Sequence, residues 1–261
     1  MRQLLNVSNL LTFQRFISMC AARSGQLLNL NSLAADCGIS QPTARQWLTV
    51  LQASHLVALL PPYHRNFGKR LVKTPKLYFL DSGLLCHLLR ITAPDDLLHH
   101  AQRGAVFETW VVAETLKHRF NRALAADVYF WRDNIGTEVD VVLERGNEIA
   151  AIEIKSGPTV ASDAFGSLGK WRKYARERGH FALECRHFAL RFGERGLGGG
   201  KGALGGAQLA AGRLEVGGAI GSRSEPLLEA GRDEGIEVAV EHFLRVGDFD
   251  VGAQILDARV V

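Results

Sequence analysis

Apolar residues recur at helical spacing near the start of the chain. Leu10, Phe13, Ile17 and Cys20 fall on one face of a segment over residues 8–23, and this periodicity predicts an amphipathic helix. A Ser-Gly pair follows and is typical of a helix end.

Two further helices joined by a tight turn are predicted next. Asn31 and Ser32 favour a helix start, and Gly38 supplies the left-handed backbone conformation that the turn requires. Ser40 is a natural N-cap for the second helix, which carries an apolar stripe at helical spacing: Ala44, Trp47, Leu48 and Leu51.

The second helix also presents polar side chains that suit contact with DNA bases or phosphates: Gln41, Thr43, Arg45 and Gln46. Strands are predicted at residues 56–60 and 76–80. The loop between them is basic, and its Arg65, Lys69 and Arg70 are further candidate DNA contacts. Together these elements predict a winged helix-turn-helix domain over residues 1–92. A module that docks on a protein partner and never contacts DNA is the alternative, since a fold alone does not specify a function.

The pattern changes to mixed helix and strand after residue 100. Residues 103–120 predict a helix whose apolar stripe is Val106, Trp110, Ala113, Leu116 and Phe120. Runs rich in β-branched residues, separated by turn residues, predict strands at 128–132, 138–143 and 148–155, and residues 163–178 predict another helix. We therefore expect an α/β domain over residues 100–180 and an α+β or α/β class for the chain.

Acidic residues lie within the apolar strands of this second domain. Side chains at alternate strand positions share a face, so Glu153 and Lys155 point the same way, and a hairpin brings them close to Asp140. With Glu108 from the preceding helix, these carboxylates supply the oxygen ligands that Mg²⁺ prefers, and Lys155 could stabilise charge on a phosphate. The alternative is an exposed acidic hairpin with solvated charges, but burying a carboxylate in such apolar strands without a partner is costly.

Composition limits the functional classes. The 261 residues are 47% hydrophobic and carry a formal net charge of +4, a mildly basic balance that is compatible with a nucleic-acid partner. The N-terminus has no signal-peptide pattern, and no apolar run reaches the ~20 residues of a membrane helix. The four cysteines are scattered without a Cys-x-x-Cys pair. We predict a cytoplasmic protein without membrane contact.

The last part of the chain, residues 181–261, loses this patterning. More than half of the 27 glycines follow residue 180, which predicts a Gly-rich, poorly ordered tail or a frameshifted segment. The stretch Gly198–Gly202 is not a phosphate loop, because Arg195 stands where the first Gly is needed and Gly202 stands where Ser or Thr is needed.

Several segments together resemble a known superfamily. Gly104-x-x-x-Glu108, Tyr129–Asp133, Gly136–Asp140 and Ile152–Gly157 resemble the PD-(D/E)xK nuclease-like proteins. More closely, they are similar to the uncharacterised C-terminal domain of a prokaryotic family of AAA-type ATPases. The segment Arg70–Leu84 resembles that family's link between a winged helix and the nuclease-like domain. The resemblance covers residues 4–180.

The resemblance implies a restriction-endonuclease-like α/β domain with Glu108, Asp140 and Glu153 as metal ligands and Lys155 as the catalytic lysine. Family members carry an ATPase domain with a phosphate loop, whereas this sequence has no such pattern, so we expect no ATP hydrolysis by this chain. Three functions are left open. They are a Mg²⁺-dependent DNA endonuclease, a non-catalytic module that binds DNA or a protein such as an ATPase, and an inactive gene remnant.

Overall fold

A computed structural model describes residues 10–63, 72–145, 148–156, 166–177, 182–192 and 207–214. The chain divides into two compact units. Unit 1 comprises Met1–Pro62 and Lys73–Glu114, and unit 2 comprises Tyr63–Val72 and Thr115–Val261. The fold is mixed α+β, which confirms the predicted class at that level.

The described part of unit 1 contains three helices before residue 54, α1 (Leu10–Ala21), α2 (Leu30–Cys37) and α3 (Gln41–Ala53). Their apolar faces form one core, in which the Trp47 ring lies edge-on to the rings of Phe13 and Phe16 at centroid distances of 5.2 and 5.5 Å. The buried residues of α3 are those that the sequence predicted: Ala44, Trp47, Leu48 and Leu51.

Capping residues fix the ends of these helices. The predicted N-cap of α3 is confirmed, because the Ser40 side chain accepts the backbone N–H of Thr43. Gly38 ends α2 with φ at 68°, also as predicted. Helix α2 begins earlier than predicted, because the Asn29 side chain accepts the backbone N–H of Ser32 and caps the helix there.

A small antiparallel sheet completes the middle of unit 1. Its strands are β1 (Gln26–Leu27), β2 (Val57–Leu60) and β3 (Lys76–Phe79), in the order β1-β3-β2. Helices α4 (Ser82–Leu88) and α5 (Pro94–His99) follow. The predicted basic loop residues Arg65, Lys69 and Arg70 lie outside the described residues.

Helix α6 (Arg103–Asn121) contributes residues to both units. Of its predicted stripe, Val106, Ala113 and Leu116 are buried and Trp110 is half-buried. Further residues of this helix are also buried: Phe107, Thr109, Val111 and Val112. Phe120 was predicted in the core but is 48% exposed, because it lies in the last turn of the helix.

Unit 2 contains a five-stranded sheet in the order β4-β5-β6-β7-β8. The first three strands, β4 (Val128–Arg132), β5 (Glu138–Arg145) and β6 (Glu148–Ser156), form an antiparallel meander close to the predicted bounds. Helix α7 (Gly166–Glu177) follows, and β7 (Ala182–Phe192) then pairs parallel to β6. A parallel pair requires a crossover connection, and α7 lies within it.

The sheet extends beyond residue 180, where the sequence predicted the nuclease-like domain to end. Strand β7 pairs with β6 over nine residues, from Glu148–Ala182 to Ser156–Leu190, and β8 (Ala207–Leu214) pairs antiparallel to β7. Strand-forming runs therefore lie inside the Gly-rich segment. The rest of the predicted tail, residues 193–206 and 215–261, lies outside the described residues.

One apolar cluster lies between α7 and the sheet. Helix α7 buries Leu168, Trp171 and Ala175, which follow one another at helical spacing. The facing sheet residues in this cluster are Trp131, Val139, Val142, Ile149 and Ala151. On β6, Glu153 continues the alternation of Ile149 and Ala151, so the sequence places its carboxylate on the face that α7 covers.

Candidate functional site

An irregularity in β5 lies at Asp140. The β4–β5 pairing passes from Tyr129–Val142 to Trp131–Val139, so β4 advances by two residues while β5 advances by three. Strand β5 therefore carries one extra residue here, which is a β-bulge. The bulge explains why Val139 and Val142 pack in the same cluster, and it corrects the regular alternation that the sequence predicted for this strand.

Asp140 is held by the neighbouring strand. The β5–β6 pairing runs from Arg145–Glu148 to Val141–Ile152, and beyond it Oδ2 of Asp140 accepts the backbone N–H of Ile154 at 2.7 Å. The residue is only 9% exposed. This hydrogen bond from the β6 backbone fixes the position of the Asp140 carboxylate beside that strand.

Glu153 is more deeply buried than Asp140, at 4% exposure. Its two carboxylate oxygens have different donors. Nζ of Lys155 lies 2.5 Å from Oε1, and Oγ of Ser167 lies 2.9 Å from Oε2. Burial raises the pKa of Glu153 above its ordinary value, and the bonds from Lys155 and Ser167 offset part of that rise.

Lys155 is the partly exposed partner of the buried Glu153. Its side chain is 39% exposed, whereas that of Glu153 is 5% exposed. The ion pair confirms that the two side chains share one face of β6, as their spacing predicts. The structure therefore brings Asp140 and Glu153 onto adjacent strands. Asp140 accepts the backbone N–H of the residue after Glu153, and Lys155 binds the Glu153 carboxylate.

Glu138 adds a further carboxylate, one oxygen of which lies within 4.8 Å of a carboxylate oxygen of Asp140. It pairs with Arg132 across the β4–β5 hairpin, with 3.0 Å between Oε2 and Nη1. Its charge contributes to the raised pKa of Glu153. The hairpin turn itself is held by Asp133, whose Oδ1 accepts the backbone N–H groups of Ile135 and Thr137.

Glu108, the fourth predicted catalytic residue, belongs to unit 1. Its Oε1 accepts hydrogen bonds from the Tyr78 hydroxyl and from Nζ of Lys76, the latter at 2.9 Å. The Lys76 side chain is only 3% exposed. Sequence reasoning missed both partners, because Lys76 is an unremarkable strand-end residue until β3 and α6 are placed together.

The predicted DNA-binding residues of α3 lie on its accessible sides. Arg45 and Gln46 are exposed, while Gln41 and Thr43 are half-buried. The Thr43 hydroxyl lies 2.8 Å from the Ser40 hydroxyl, so part of its bonding capacity serves the helix start. Arg45 and Gln46 therefore offer the more accessible polar surface on this helix.

Comparison with known proteins identifies two regions of the chain. Residues 1–95 match the family described as Domain of unknown function (DUF8612), and residues 103–196 match the family described as Domain of unknown function (DUF4143). The second family is usually found with AAA-type ATPases. The predicted resemblance is therefore confirmed as far as a domain of unknown function that is associated with these ATPases. The second match also extends past residue 180, as the sheet does.

The curated relatives are mycobacterial proteins. An uncharacterised protein of Mycobacterium bovis and one of Mycobacterium tuberculosis are each 33% identical to this chain over 150 residues, which is 57% of the chain. The match spans about a third of each relative, 33% of its length. No solved structure matches the chain.

Proposed function

We propose that unit 2 is a Mg²⁺-dependent nuclease-like domain that hydrolyses phosphodiester bonds of DNA. The observation that carries the proposal is the grouping of two buried carboxylates, Asp140 and Glu153, on adjacent strands with the partly exposed Lys155. We also propose that unit 2 has a restriction-endonuclease-like architecture. It is supported by a meander followed by a helix and a parallel strand.

The donor set fits Mg²⁺. Magnesium prefers oxygen ligands and is commonly bound by one or two carboxylates together with water and substrate phosphate. Asp140 and Glu153 are buried acids and Lys155 is the one base beside them, so the three residues together have a net negative formal charge. Such a charge is costly without a further cation. Asp140 and Glu153 would hold the ion, and the resemblance adds Glu108 as a ligand.

Magnesium, when bound, would polarise the scissile phosphate and lower the pKa of a water molecule. The remaining work falls to this chain's side chains. Lys155 would stabilise the negative charge that develops on the phosphate, because it carries a positive charge and its side chain is partly exposed beside the buried Glu153. The bond from the Ile154 N–H would keep Asp140 in one orientation throughout, which reduces reorganisation during the reaction.

A purely structural role for the same residues is the competing explanation. The Asp140 carboxylate satisfies a backbone donor of β6, and Lys155 neutralises Glu153, so both contacts also stabilise the sheet. The explanations differ in one respect. A structural role requires a hydrogen-bond acceptor at position 140, whereas metal binding requires a negative charge there.

A second candidate function is DNA or protein binding by unit 1. We propose that α2, α3 and the β2–β3 pair form a winged helix-turn-helix, with α3 entering the major groove. The exposed Arg45 and Gln46 support this proposal, together with the Gly38 turn that separates the two helices. The usual association of the second family with AAA-type ATPases supports an ATPase as a protein partner.

No described helix combines the length and the apolar character of a membrane span.

Cleavage of supercoiled plasmid DNA tests the nuclease proposal. Wild-type protein and the Asp140→Asn variant are incubated with plasmid in Mg²⁺ or in EDTA. We expect nicked or linear DNA only with wild-type protein and Mg²⁺, because asparagine keeps an acceptor for the Ile154 N–H but removes the charge. Equal conversion by both proteins, or none by either, would overturn the proposal. A lack of both cleavage and DNA binding would favour the gene-remnant alternative.

A further inference from the structure

The serine at the start of α7 forms a specific contact with the candidate site. Ser167 is the second residue of this helix, a region where serine more often bonds to nearby backbone N–H groups. Here its Oγ lies 2.9 Å from Oε2 of Glu153, a residue fourteen positions earlier in the chain. The contact therefore joins α7 to β6 through side chains.

Packing of α7 determines where this hydroxyl lies. The adjacent Leu168 is 3% exposed and belongs to the same apolar cluster as Trp171 and Ala175. These residues hold the helix against the face of the sheet on which Glu153 lies. Ser167 is half-buried at the border of that cluster, so its hydroxyl is directed by the packing of its neighbours.

The two donors to Glu153 come from different elements. Lys155 approaches Oε1 from the same strand, and Ser167 approaches Oε2 from the helix. A carboxylate with a donor on each oxygen is restricted both in position and in the rotation of its plane. Carboxylates that bind metal ions are commonly oriented by such outer hydrogen bonds, and loss of one typically costs about 10–100-fold in metal affinity or activity.

We propose that Ser167 is a positioning residue of the metal site, which orients the Glu153 carboxylate toward a divalent cation through the Oγ–Oε2 hydrogen bond. The inference rests on the proposed function, because it takes Glu153 as a ligand. It assigns Ser167 no direct contact with substrate or metal. Its contribution is to keep Glu153 in the orientation in which the carboxylate and Asp140 act on the same ion.

Calorimetric titration of the full chain with MgCl₂ tests this assignment without relying on activity. The proteins are wild type, Ser167→Ala, Ser167→Thr and Asp140→Asn. We expect Ser167→Ala to weaken Mg²⁺ binding by about 10–100-fold. Ser167→Thr should restore binding close to that of wild type, because threonine retains the hydroxyl. Thermal melting in EDTA, where Ser167→Ala and Ser167→Thr should both retain a cooperative transition, verifies that each variant is folded.

The outcomes separate this inference from the function on which it rests. Binding by wild type and Ser167→Ala with equal affinity, and none by Asp140→Asn, would overturn the role of Ser167 and leave the metal site intact. Weak binding by Ser167→Ala that threonine does not restore would also overturn it, since the hydroxyl would then not be the cause. Absence of Mg²⁺ binding by wild type, or equal binding by Asp140→Asn, would remove the metal site and the positioning role together.

Discussion

The carboxylate of Asp140 accepts the backbone N–H of Ile154 at 2.7 Å, across from β5 to β6. The bond occurs at the point where a bulge adds one residue to β5. Bulges are frequent beside functional sites, where they redirect a side chain. At this bulge the Asp140 side chain provides an acceptor for the backbone N–H of Ile154, the residue that follows Glu153 on β6.

Two substitutions at this position separate its structural and chemical roles. Asp140→Ala leaves the buried Ile154 N–H without this acceptor, so we expect a loss of about 1–3 kcal/mol in the free energy of unfolding. Asp140→Asn should lose less, because its amide oxygen can accept the same bond. Urea unfolding in EDTA measures both. An asparagine variant as unstable as the alanine variant would show that the charge itself stabilises the fold.

Glu153 should make the metal-free protein less stable as the pH rises. Burial raises its pKa in the folded state above the ordinary value of 4.5, so folding favours the protonated acid. The stabilisation is complete below pH 4.5 and is lost as the pH rises through the raised value. Unfolding in EDTA across this range should show the decline for wild type but not for Glu153→Gln; identical pH profiles would contradict it.

The buried pair of Lys76 and Glu108 should be strongly coupled. Lys76→Met removes the cation from a carboxylate whose side chain is 18% exposed, so we expect a loss of about 3–5 kcal/mol in the free energy of unfolding. Combining it with Glu108→Gln should cost less than the sum of the two single changes, because no buried charge then lacks its partner. A double-mutant cycle in urea gives the coupling energy, and strictly additive effects would contradict an ion pair of this kind.

Helix α3 supplies a matched pair for testing DNA binding. Arg45 and Gln46 are adjacent and both exposed, but only the arginine carries charge. If Arg45 contacts a phosphate, Arg45→Ala should reduce the slope of log affinity against log salt by about one. Gln46→Ala should leave that slope unchanged. Fluorescence anisotropy with labelled duplex over a salt series provides both slopes. Unaltered binding by both variants would favour the protein-docking alternative for unit 1.

The sequence predicts helix α3 and the end of strand β6 well because residue types there recur with the side-chain period of the element, 3.6 residues in the helix and two in the strand. The stripe that ends at Leu51 and the shared face of Glu153 and Lys155 both follow from that period. The bulge at Asp140 could not be predicted in this way, because Val139–Leu143 is apolar on both sides of the acid and the extra residue leaves no mark in the pattern.

Long-range contacts explain most of the remaining differences. The bond between Ser167 and Glu153 depends on how α7 packs on the sheet, and no local signal distinguishes it from a helix-start serine. Strand β7 was obscured by the glycines that surround it, although its pairing with β6 is parallel and continuous. In both cases the neighbour that decides the structure is distant in sequence.

The dependence of DNA cleavage rate on Mg²⁺ concentration tests the central claim most directly. Linear duplex is cleaved with protein in excess, using wild type, Asp140→Asn, Lys155→Met and the charge-preserving Lys155→Arg. We predict that Asp140→Asn raises the Mg²⁺ concentration for half-maximal rate by more than about tenfold. Lys155→Met should lower the rate at saturating Mg²⁺ by about 100–1000-fold, with partial recovery in Lys155→Arg. No Mg²⁺-dependent cleavage by wild type, or equal rates for all four proteins, would contradict the assignment of Asp140, Glu153 and Lys155 as a nuclease site.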